Sequence, residues 1–236
     1  MDNKTALITG GTKGIGFGIA EILLDNGWHV GITGTRRETV DEALDKLSSR
    51  HSGLVAGYPC DVRDGEGQQK VVDQLVKKFG QLDLLVANAG LGHFASIEEM
   101  TEEQWKETID TNLTGVFHTI KAGLEPLKKS KGLFITIASL AGTNFFPKGA
   151  AYCASKFGLV GFTQAVMLDL RQHGIRTSTI MPGSVATHFN NNEPGAEDSW
   201  KIQPRDIGQM VLDLEKLDPR TLPSKIEVRP SMPPKK

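Results

Sequence analysis

The sequence of 236 residues predicts an α/β fold, in which one doubly wound parallel sheet is covered by helices on both faces. Short apolar runs alternate with longer stretches of helical spacing along the chain. The runs are apolar throughout, which is typical of parallel strands buried on both faces. A glycine-rich turn directly follows the first run. Because no linker or repeat interrupts the alternation, we expect a single domain over residues 1–236.

Each element is predicted from its own local pattern. Residues 14–25 place Ile15, Ile19, Ile22 and Leu23 on one helical stripe. The residues Gly27, Gly80 and Gly174 fall where helices are expected to end. A Pro- and Lys-rich tail at 229–236 is expected to be loosely ordered. The predicted strands lie at 6–9, 29–33, 54–58, 82–88, 133–138, 176–181 and 226–228.

Composition excludes several classes of function. A net charge of −1 gives no electrostatic reason to expect a nucleic acid or a membrane as partner. The two cysteines, Cys60 and Cys153, form no C-x-x-C pair, which indicates a reducing compartment. The beginning of the sequence lacks the apolar core of a signal peptide, and no run of about 18 apolar residues is present. The histidines show no metal-ligand spacing. We therefore expect a cytoplasmic protein without a metal site.

The turn TGGTKGIG, at residues 9–16, follows the first predicted strand and opens the first helix. Glycines there allow a tight turn and the close approach of a diphosphate, and the N-terminus of the helix attracts its charge. The strict G-x-G-x-x-G fingerprint is not met, because Ile19 stands where its third glycine would be. The Walker A motif is not met either, because no G-K-[ST] follows at the required spacing. The alternative is a glycine-rich turn that binds no ligand. The candidate cofactor residues in this turn are Gly10, Thr12, Lys13, Gly14, Ile15 and Gly16.

The end of the second strand indicates which dinucleotide is bound. An NAD site usually carries Asp or Glu there, on the ribose 2′-hydroxyl. This sequence reads TGTRRE instead, with Arg36 and Arg37, and Lys13 of the glycine turn can reach the same place. Cations suit the 2′-phosphate of NADP(H). The alternative is that the two arginines are only the solvated start of a helix.

Seven motifs in order resemble the short-chain dehydrogenase/reductase family, over residues from about 5 to about 190. The resemblance implies a Rossmann-like fold and an enzyme that transfers hydride between NADP(H) and a carbonyl or alcohol. The 3-oxoacyl-thioester reductases and the carbonyl reductases share all these motifs. The sequence departs from the family at Ala87, where Asn is frequent, and it is short after Thr187. The motifs are the glycine turn, Asp61-Val62, ANAG at 87–90, Asn112, Ser139, Tyr152-x-x-x-Lys156 and PGSVAT at 182–187.

The catalytic chemistry can be argued from the residues. Tyr152 and Lys156 are four positions apart on one helix, so their side chains share a face. A tyrosine pKa near 10 is lowered by a neighbouring ammonium, and Tyr152 then serves as general acid or base. Ser139 follows the fifth strand and can hold the substrate oxygen. The resemblance adds Asn112, which supports a water that links Lys156 to solvent. Without Ser139 and the predicted nucleotide site, the spacing of Tyr152 and Lys156 would indicate only the start of an amphipathic helix.

The remaining cofactor roles come from the resemblance alone. Asp61 and Val62 would hold the adenine, and Tyr152 and Lys156 would also contact the cofactor. The alternatives are a turn residue at Asp61 and a plain strand-ending turn at Pro182. Residues Asn88, Ala89 and Gly90 would line the adenosine ribose, and Pro182, Gly183, Val185 and Thr187 would bind the carboxamide of the nicotinamide.

Substrate and partners are less well determined by the sequence. Aromatic residues near the site suit an apolar ketone or aldehyde of modest size, although they can equally be core residues or subunit contacts. The helices at 113–127 and 158–170 carry many apolar positions, which predicts a homodimer or homotetramer, as in the family. The alternative function is an NADP(H)-binding sensor or scaffold without turnover. The aromatic residues are Phe94, Phe145, Phe146, Phe189 and Trp200.

Overall fold

The computed structural model describes residues 3–233 and shows one seven-stranded sheet in which every pair of neighbouring strands is parallel. The spatial order is β3-β2-β1-β4-β5-β6-β7, which is the doubly wound arrangement that the sequence predicts. All seven strands are confirmed within about two residues of their predicted ends. They are β1 (Thr5–Ile8), β2 (His29–Gly34), β3 (Val55–Pro59), β4 (Leu84–Ala87), β5 (Leu133–Ile137), β6 (Arg176–Pro182) and β7 (Lys225–Val228).

Helices connect the strands and cover both faces of the sheet. The predicted ends of the helices are confirmed at Gly80, which caps α3 in the left-handed region, and at Gly27 and Gly174, which also have positive φ. A π-helical turn, Asp110–Thr114, joins α4 to α5 without a break in the helical backbone. The helices are α1 (Gly14–Asp25), α2 (Arg37–Ser48), α3 (Gly65–Phe79), α4 (Glu102–Ile109), α5 (Gly115–Ser130), α6 (Ala150–Leu170) and α7 (Pro204–Lys216).

The core has one half on each face of the sheet, and strand β1 shows how its residues are divided. Ala6 and Ile8 pack on the face covered by α1, α2 and α7, whereas Leu7 packs on the face covered by α3, α5 and α6. Because side chains alternate along a strand, a strand between two layers of helices must be apolar on both sides. This is why the predicted strands read as continuous apolar runs.

The strand order reverses between β1 and β4, and this position determines where a ligand binds. The turns that follow β1 and β4 leave the sheet in different directions, which opens a crevice at the carboxyl edge. The segments after β5 and β6 extend the same edge. Residues 229–233 of the predicted loose tail belong to no helix or strand, and 234–236 lie outside the described residues. None of the described helices is long and apolar enough to cross a membrane.

Candidate active site

A cavity of about 750 Å³ runs along the carboxyl edge of the sheet, across the crevice. It extends from the glycine turn after β1 to the tyrosine of α6, and its walls come from the segments that follow six strands. Its size is within the usual range of cofactor and ligand sites. The predicted residues that line it are Gly10, Thr12, Lys13, Gly14, Ile15, Asp61, Val62, Asn88, Ala89, Gly90, Ser139, Tyr152, Lys156, Pro182, Gly183, Val185 and Thr187.

The glycine turn presents free backbone donors at the start of α1. Gly10 and Gly14 have φ values of +65° and +57°, which favour glycine. The N-cap residue is Lys13, whose side chain does not cap the helix, and the first turn contains no acidic residue. The first N–H groups of α1 therefore have neither a side-chain acceptor nor a negative charge beside them. This is the arrangement that binds a phosphate or diphosphate.

Asn88 and Thr9 tie the glycine turn to the end of β4. The Asn88 amide nitrogen Nδ2 donates to the carbonyl oxygens of Thr9 and Gly10, at 2.9 and 3.0 Å. In return, the Thr9 hydroxyl accepts from the backbone N–H groups of Asn88 and Ala89, at 3.0 and 3.1 Å. The side chain of Asn88 thus holds the turn in shape, a role that the sequence does not indicate.

Gly16 packs against the hydrogen-bonded pair of Asn88 and Gly10 and is not among the residues that line the cavity. A Cβ at Gly16 would lie 2.6 Å from Nδ2 of Asn88 and would also collide with the carbonyl oxygen of Gly10. Glycine is therefore required here for close packing of the helix against the turn. The structure gives Gly16 a supporting role beside the cofactor contact predicted for it.

Asp61 is held by an arginine that sequence reasoning missed. The Arg63 guanidinium donates to both carboxylate oxygens of Asp61, and its Nη2 lies 2.6 Å from Oδ2. These hydrogen bonds keep the pKa of Asp61 below its usual range. Arg63 also lines the cavity and lies 3.7 Å from Glu107. The signal in the sequence that could have indicated this pairing is that Arg63 stands two residues after Asp61.

The two arginines after β2 differ in their surroundings. Arg36 is exposed, precedes α2 as its N-cap residue and is not among the residues that line the cavity. Arg37 lies 4.0 Å from Asp41, one helical turn further on. Within residues 3–233 the structure shows no ion pair for Arg36. The cavity reaches the neighbouring Thr35, so Arg36 stands at its rim.

Tyr152 and Lys156 lie on the first turns of α6, as predicted, with the Lys156 ammonium nitrogen Nζ 5.7 Å from the centre of the Tyr152 ring. Lys156 donates a hydrogen bond of 3.0 Å to the carbonyl oxygen of Ile137, at the end of β5. Burial lowers the pKa of Lys156 to about 8. The ammonium is therefore held at the carboxyl edge and poised to titrate near neutral pH.

The pKa of Tyr152 differs from the expectation. Burial raises this pKa, because a phenolate loses hydration, and the neighbouring Ser139 hydroxyl opposes the rise only in part. The net shift is upward, against the prediction of a lowered pKa, because burial outweighs the interactions that favour the tyrosinate. The Ser139 oxygen accepts a hydrogen bond of 3.1 Å from the backbone N–H of Ala141, which leaves its own hydrogen available to another acceptor.

Asn112 lies in the π-helical turn and is completely buried. Its amide exchanges hydrogen bonds of 2.8 and 2.9 Å with the backbone of Leu91 and donates to Ser155 at 3.0 Å. A Cβ at Gly90 would lie 3.1 Å from Oδ1 of Asn112 and 3.7 Å from Nζ of Lys156. Asn112 thus anchors the segment after β4 beside Lys156. Such π-helical turns are frequent at functional sites.

Two of the five predicted aromatic residues lie against Tyr152, and a third packs on one of these two. The ring centres of Phe94 and Phe189 lie 5.4 and 5.6 Å from that of Tyr152, and Phe146 lies 5.9 Å from Phe94. Phe145 is 85% exposed and forms no aromatic pair with these residues. Trp200 is not among the residues that line the cavity.

Comparison with known proteins agrees with this geometry. A family model described as short chain dehydrogenase matches residues 4–198. The chain belongs to the short-chain dehydrogenase family. Among curated relatives of this family, the 3-oxoacyl-[acyl-carrier-protein] reductase FabG of Chlamydia muridarum is 33% identical over 200 residues, which cover 84% of this chain and 79% of the relative. The 3alpha-hydroxysteroid dehydrogenase of Mediterraneibacter gnavus is 32% identical over 189 residues, which cover 79% and 76%.

A solved structure extends the agreement over the whole short-chain dehydrogenase fold. The alcohol dehydrogenase of the archaeon Thermococcus sibiricus, complexed with 5-hydroxy-NADP, has a TM-score of 0.90 and 29% sequence identity. The match covers 99% of each chain. The relatives are named for different substrates, which are a 3-oxoacyl-[acyl-carrier-protein], a 3alpha-hydroxysteroid and an alcohol. Family membership therefore leaves the substrate of this short-chain dehydrogenase open.

Some residues at this short-chain dehydrogenase site could not be found from the sequence. Lys201 lines the cavity and pairs with the buried Asp198 at 2.6 Å, although it follows the last family motif by fourteen positions. Cys60 also lines the cavity, and burial raises the pKa of its thiol to about 11. Cys153 is buried, as expected of a packed helix residue. Residues 3–233 contain no cluster of three or more residues arranged to hold a metal ion.

Proposed function

We propose that this chain is an NADP(H)-dependent oxidoreductase that reduces a ketone or aldehyde to an alcohol, with Tyr152 as general acid and base. One observation carries the proposal. Tyr152, Ser139 and Lys156 stand in the wall of a single cavity whose other end is the glycine turn of a dinucleotide site. The family and the NADP analogue in the Thermococcus sibiricus relative support it.

The residues of the cavity fit NADP(H). The uncapped start of α1 suits the diphosphate, and the positive φ of Gly10 and Gly14 shapes the turn that receives it. Lys13 lines the cavity and Arg36 stands at its rim, so both cations are near the place expected for the 2′-phosphate. Asp61 and Val62 line the part of the cavity proposed for the adenine. When bound, the cofactor supplies or accepts the hydride.

The other cofactor residues are proposed to act through the positions that the structure gives them. Asn88 holds the turn, and the backbone of Ala89 and Gly90 forms the wall beside it. Lys156 lies at the far end of that wall. The segment after β6 is proposed to bind the carboxamide of the nicotinamide, and its residues Pro182, Gly183, Val185 and Thr187 all line the cavity.

Tyr152 is proposed to give its proton to the carbonyl oxygen of the substrate. Because its pKa is raised, the hydroxyl stays protonated at neutral pH and is ready to donate. The hydrogen of Ser139 is available to hold the same oxygen. The Lys156 ammonium stabilises the tyrosinate that remains and supplies its next proton, and Asn112 keeps the neighbouring backbone in place.

We also propose that the chain forms a homodimer or homotetramer through α4, α5 and α6. Several apolar positions of α5 and α6 belong to the core, since Val116, Ile120 and Leu159 are buried. Large apolar side chains nevertheless remain exposed on these three helices, and a symmetric interface would cover them. They are Trp105, Phe117, Phe157 and Leu168, which are 42%, 45%, 44% and 52% exposed.

The direct test is consumption of NADPH, followed by absorbance, with a panel of ketones, aldehydes and 3-oxoacyl thioesters. We expect NADPH to be consumed with at least one class of carbonyl compound. It should not be consumed when that compound is replaced by the corresponding alcohol. NADPH binding, measured separately by calorimetry, should occur in both cases. Binding without turnover across the whole panel would instead indicate a sensor or scaffold.

A further inference from the structure

The aromatic group around Tyr152 is separate from the hydrophobic core. We call Phe94, Phe146 and Phe189 the aromatic wall. None of the three belongs to either half of the core, and Phe146 and Phe189 are 43% and 37% exposed. Their rings therefore reach the solvent beside Tyr152. This answers the question that the sequence left open between core residues and pocket residues.

The backbone around the aromatic wall is adapted to the rings. A Cβ at Gly92 would lie 2.8 Å from the Phe94 ring and 3.0 Å from the Phe189 ring, and a Cβ at Gly149 would lie 2.6 Å from the Phe146 ring. A side chain at either position would force the Phe94 or Phe146 ring to shift, so the two glycines allow the rings to pack closely on the backbone. An isolated bridge from Ala95 to Gly149 also ties the segments of Phe94 and Phe146 together. The segments that carry Phe94 and Phe146 are thus packed against each other.

The aromatic wall lies beside the reacting end of the cavity. Phe189 lines the cavity as Tyr152 does, and its ring centre is 6.3 Å from that of Phe94. A carbonyl group held by Tyr152 and Ser139 would place a substituent near the rings of Phe94 and Phe189, and Phe146 packs on Phe94. The wall itself contains no charged side chain. The hydroxyl that would contact the carbonyl oxygen of the substrate is therefore that of Tyr152, and the surface that would contact the substituent of the carbonyl group is aromatic.

From this geometry we propose that the substrate is a carbonyl compound that carries an aromatic ring, and that this flat ring packs among Phe94, Phe146 and Phe189. The proposal rests on the proposed reductase function and adds the class of substrate. Aromatic groups prefer offset or edge-on contacts at ring separations of about 4.5–7 Å, and the wall already shows separations of 5.4 to 6.3 Å. Saturated rings of the same size gain the apolar contact but not the aromatic one. Each aromatic contact is expected to add about 2- to 10-fold in kcat/KM.

The test compares 1-phenylpropan-2-one with 1-cyclohexylpropan-2-one, because their carbonyl groups are not conjugated with the ring and the two rings have similar size. The wild-type protein should favour the phenyl ketone by about 10-fold or more in kcat/KM with NADPH. Phe94→Leu and Phe146→Leu should each lower this ratio by about 2- to 10-fold. Phe145→Leu is the matched control, since Phe145 is the neighbour of Phe146 but is 85% exposed, and it should leave the ratio unchanged.

The possible failures can be distinguished. Equal turnover of the two ketones, or equal losses for both in Phe94→Leu, would overturn the proposal of an aromatic substrate and leave the reductase function standing. A strong preference for a 3-oxoacyl thioester over the phenyl ketone would do the same. Absence of turnover with every carbonyl compound, with NADPH still bound, would overturn the proposed function and this inference together.

Discussion

The ammonium of Lys156 donates a 3.0 Å hydrogen bond to the carbonyl oxygen of Ile137, the last residue of β5. The contact fixes the charge at the carboxyl edge of the sheet, where the proposed chemistry occurs. It also buries that charge, and the pKa of Lys156 falls to about 8 as a result. An apolar side chain would avoid the cost of burial but would not support Tyr152.

Lys156→Met should abolish turnover and stabilise the fold at pH 7. The unfolded chain binds the lysine proton more tightly than the folded chain, with a pKa of 10.5 against about 8. This difference destabilises the wild type by about 3 kcal/mol below pH 8, and a lost hydrogen bond offsets about 1 kcal/mol of the gain in the variant. We expect a net gain of about 2 kcal/mol by urea unfolding.

The pH dependence provides the check on this explanation. The destabilisation by Lys156 is lost as the pH rises from about 8 to about 10.5, because in this range the folded state has released the proton that the unfolded chain still binds. The advantage of Lys156→Met should therefore shrink over this range. A constant difference in unfolding free energy between the two proteins across these pH values would show that the charge of Lys156 is not the cause.

Gly16→Ala should weaken both stability and NADPH binding, although Gly16 does not line the cavity. The added methyl group meets Asn88 and the carbonyl of Gly10, so the turn must shift. We expect a loss of about 1–3 kcal/mol in unfolding free energy, together with weaker NADPH binding by calorimetry. Gly161→Ala is the control, since a Cβ there meets nothing within 4 Å in α6, and it should be neutral or stabilising by up to about 1 kcal/mol. Equal effects of the two changes would argue against the packing role.

Lys13→Ala and Arg36→Ala should each reduce kcat/KM for NADPH by about tenfold or more and leave that for NADH nearly unchanged. Both side chains are exposed, so the losses should diminish at high salt. Arg37→Ala is the matched control, because Arg37 is the neighbour of Arg36 but lies by Asp41. Losses of equal size with NADPH and NADH would mean that Lys13 and Arg36 only support the turn.

Phe157→Glu should dissociate the proposed oligomer. A charge at this exposed position of α6 would have to be buried in the interface, which is costly without a partner. Sedimentation at micromolar concentration should show a dimer or tetramer for the wild type and a smaller species for the variant. Ile97→Glu, at a 77% exposed position outside these helices, should keep the wild-type mass. A monomeric wild type would contradict the proposed assembly.

Much of the fold could be predicted because it depends on local patterns. The apolar runs of the strands and the glycines at the helix ends are readable one element at a time, and Gly80 is a clear case. The roles of Asn88 and Arg63 could not be predicted in this way. The amide of Asn88 acts on Thr9 and Gly10, about eighty positions earlier in the chain, and Arg63 gains its position from Asp61 and Glu107. Such contacts exist only once the sheet has brought the segments together.

Side-chain exposure and pKa values could not be predicted for the same reason. Phe145 and Phe146 are adjacent and identical in the sequence, yet only Phe146 joins the aromatic wall. The spacing of Tyr152 and Lys156 indicates that their side chains are close, but it does not show how deeply each is buried. Burial decides the direction of both pKa shifts.

The central claim is that the hydroxyl of Tyr152 transfers the proton, and Tyr152→Phe tests it most directly because only the hydroxyl is removed. The measurement is kcat for reduction of a carbonyl substrate, with NADPH affinity measured on the same preparation. We predict unchanged folding, NADPH affinity within about threefold of the wild type, and a fall in kcat of about 10²- to 10⁴-fold. A variant that binds NADPH and retains more than about a tenth of the wild-type kcat would contradict the claim.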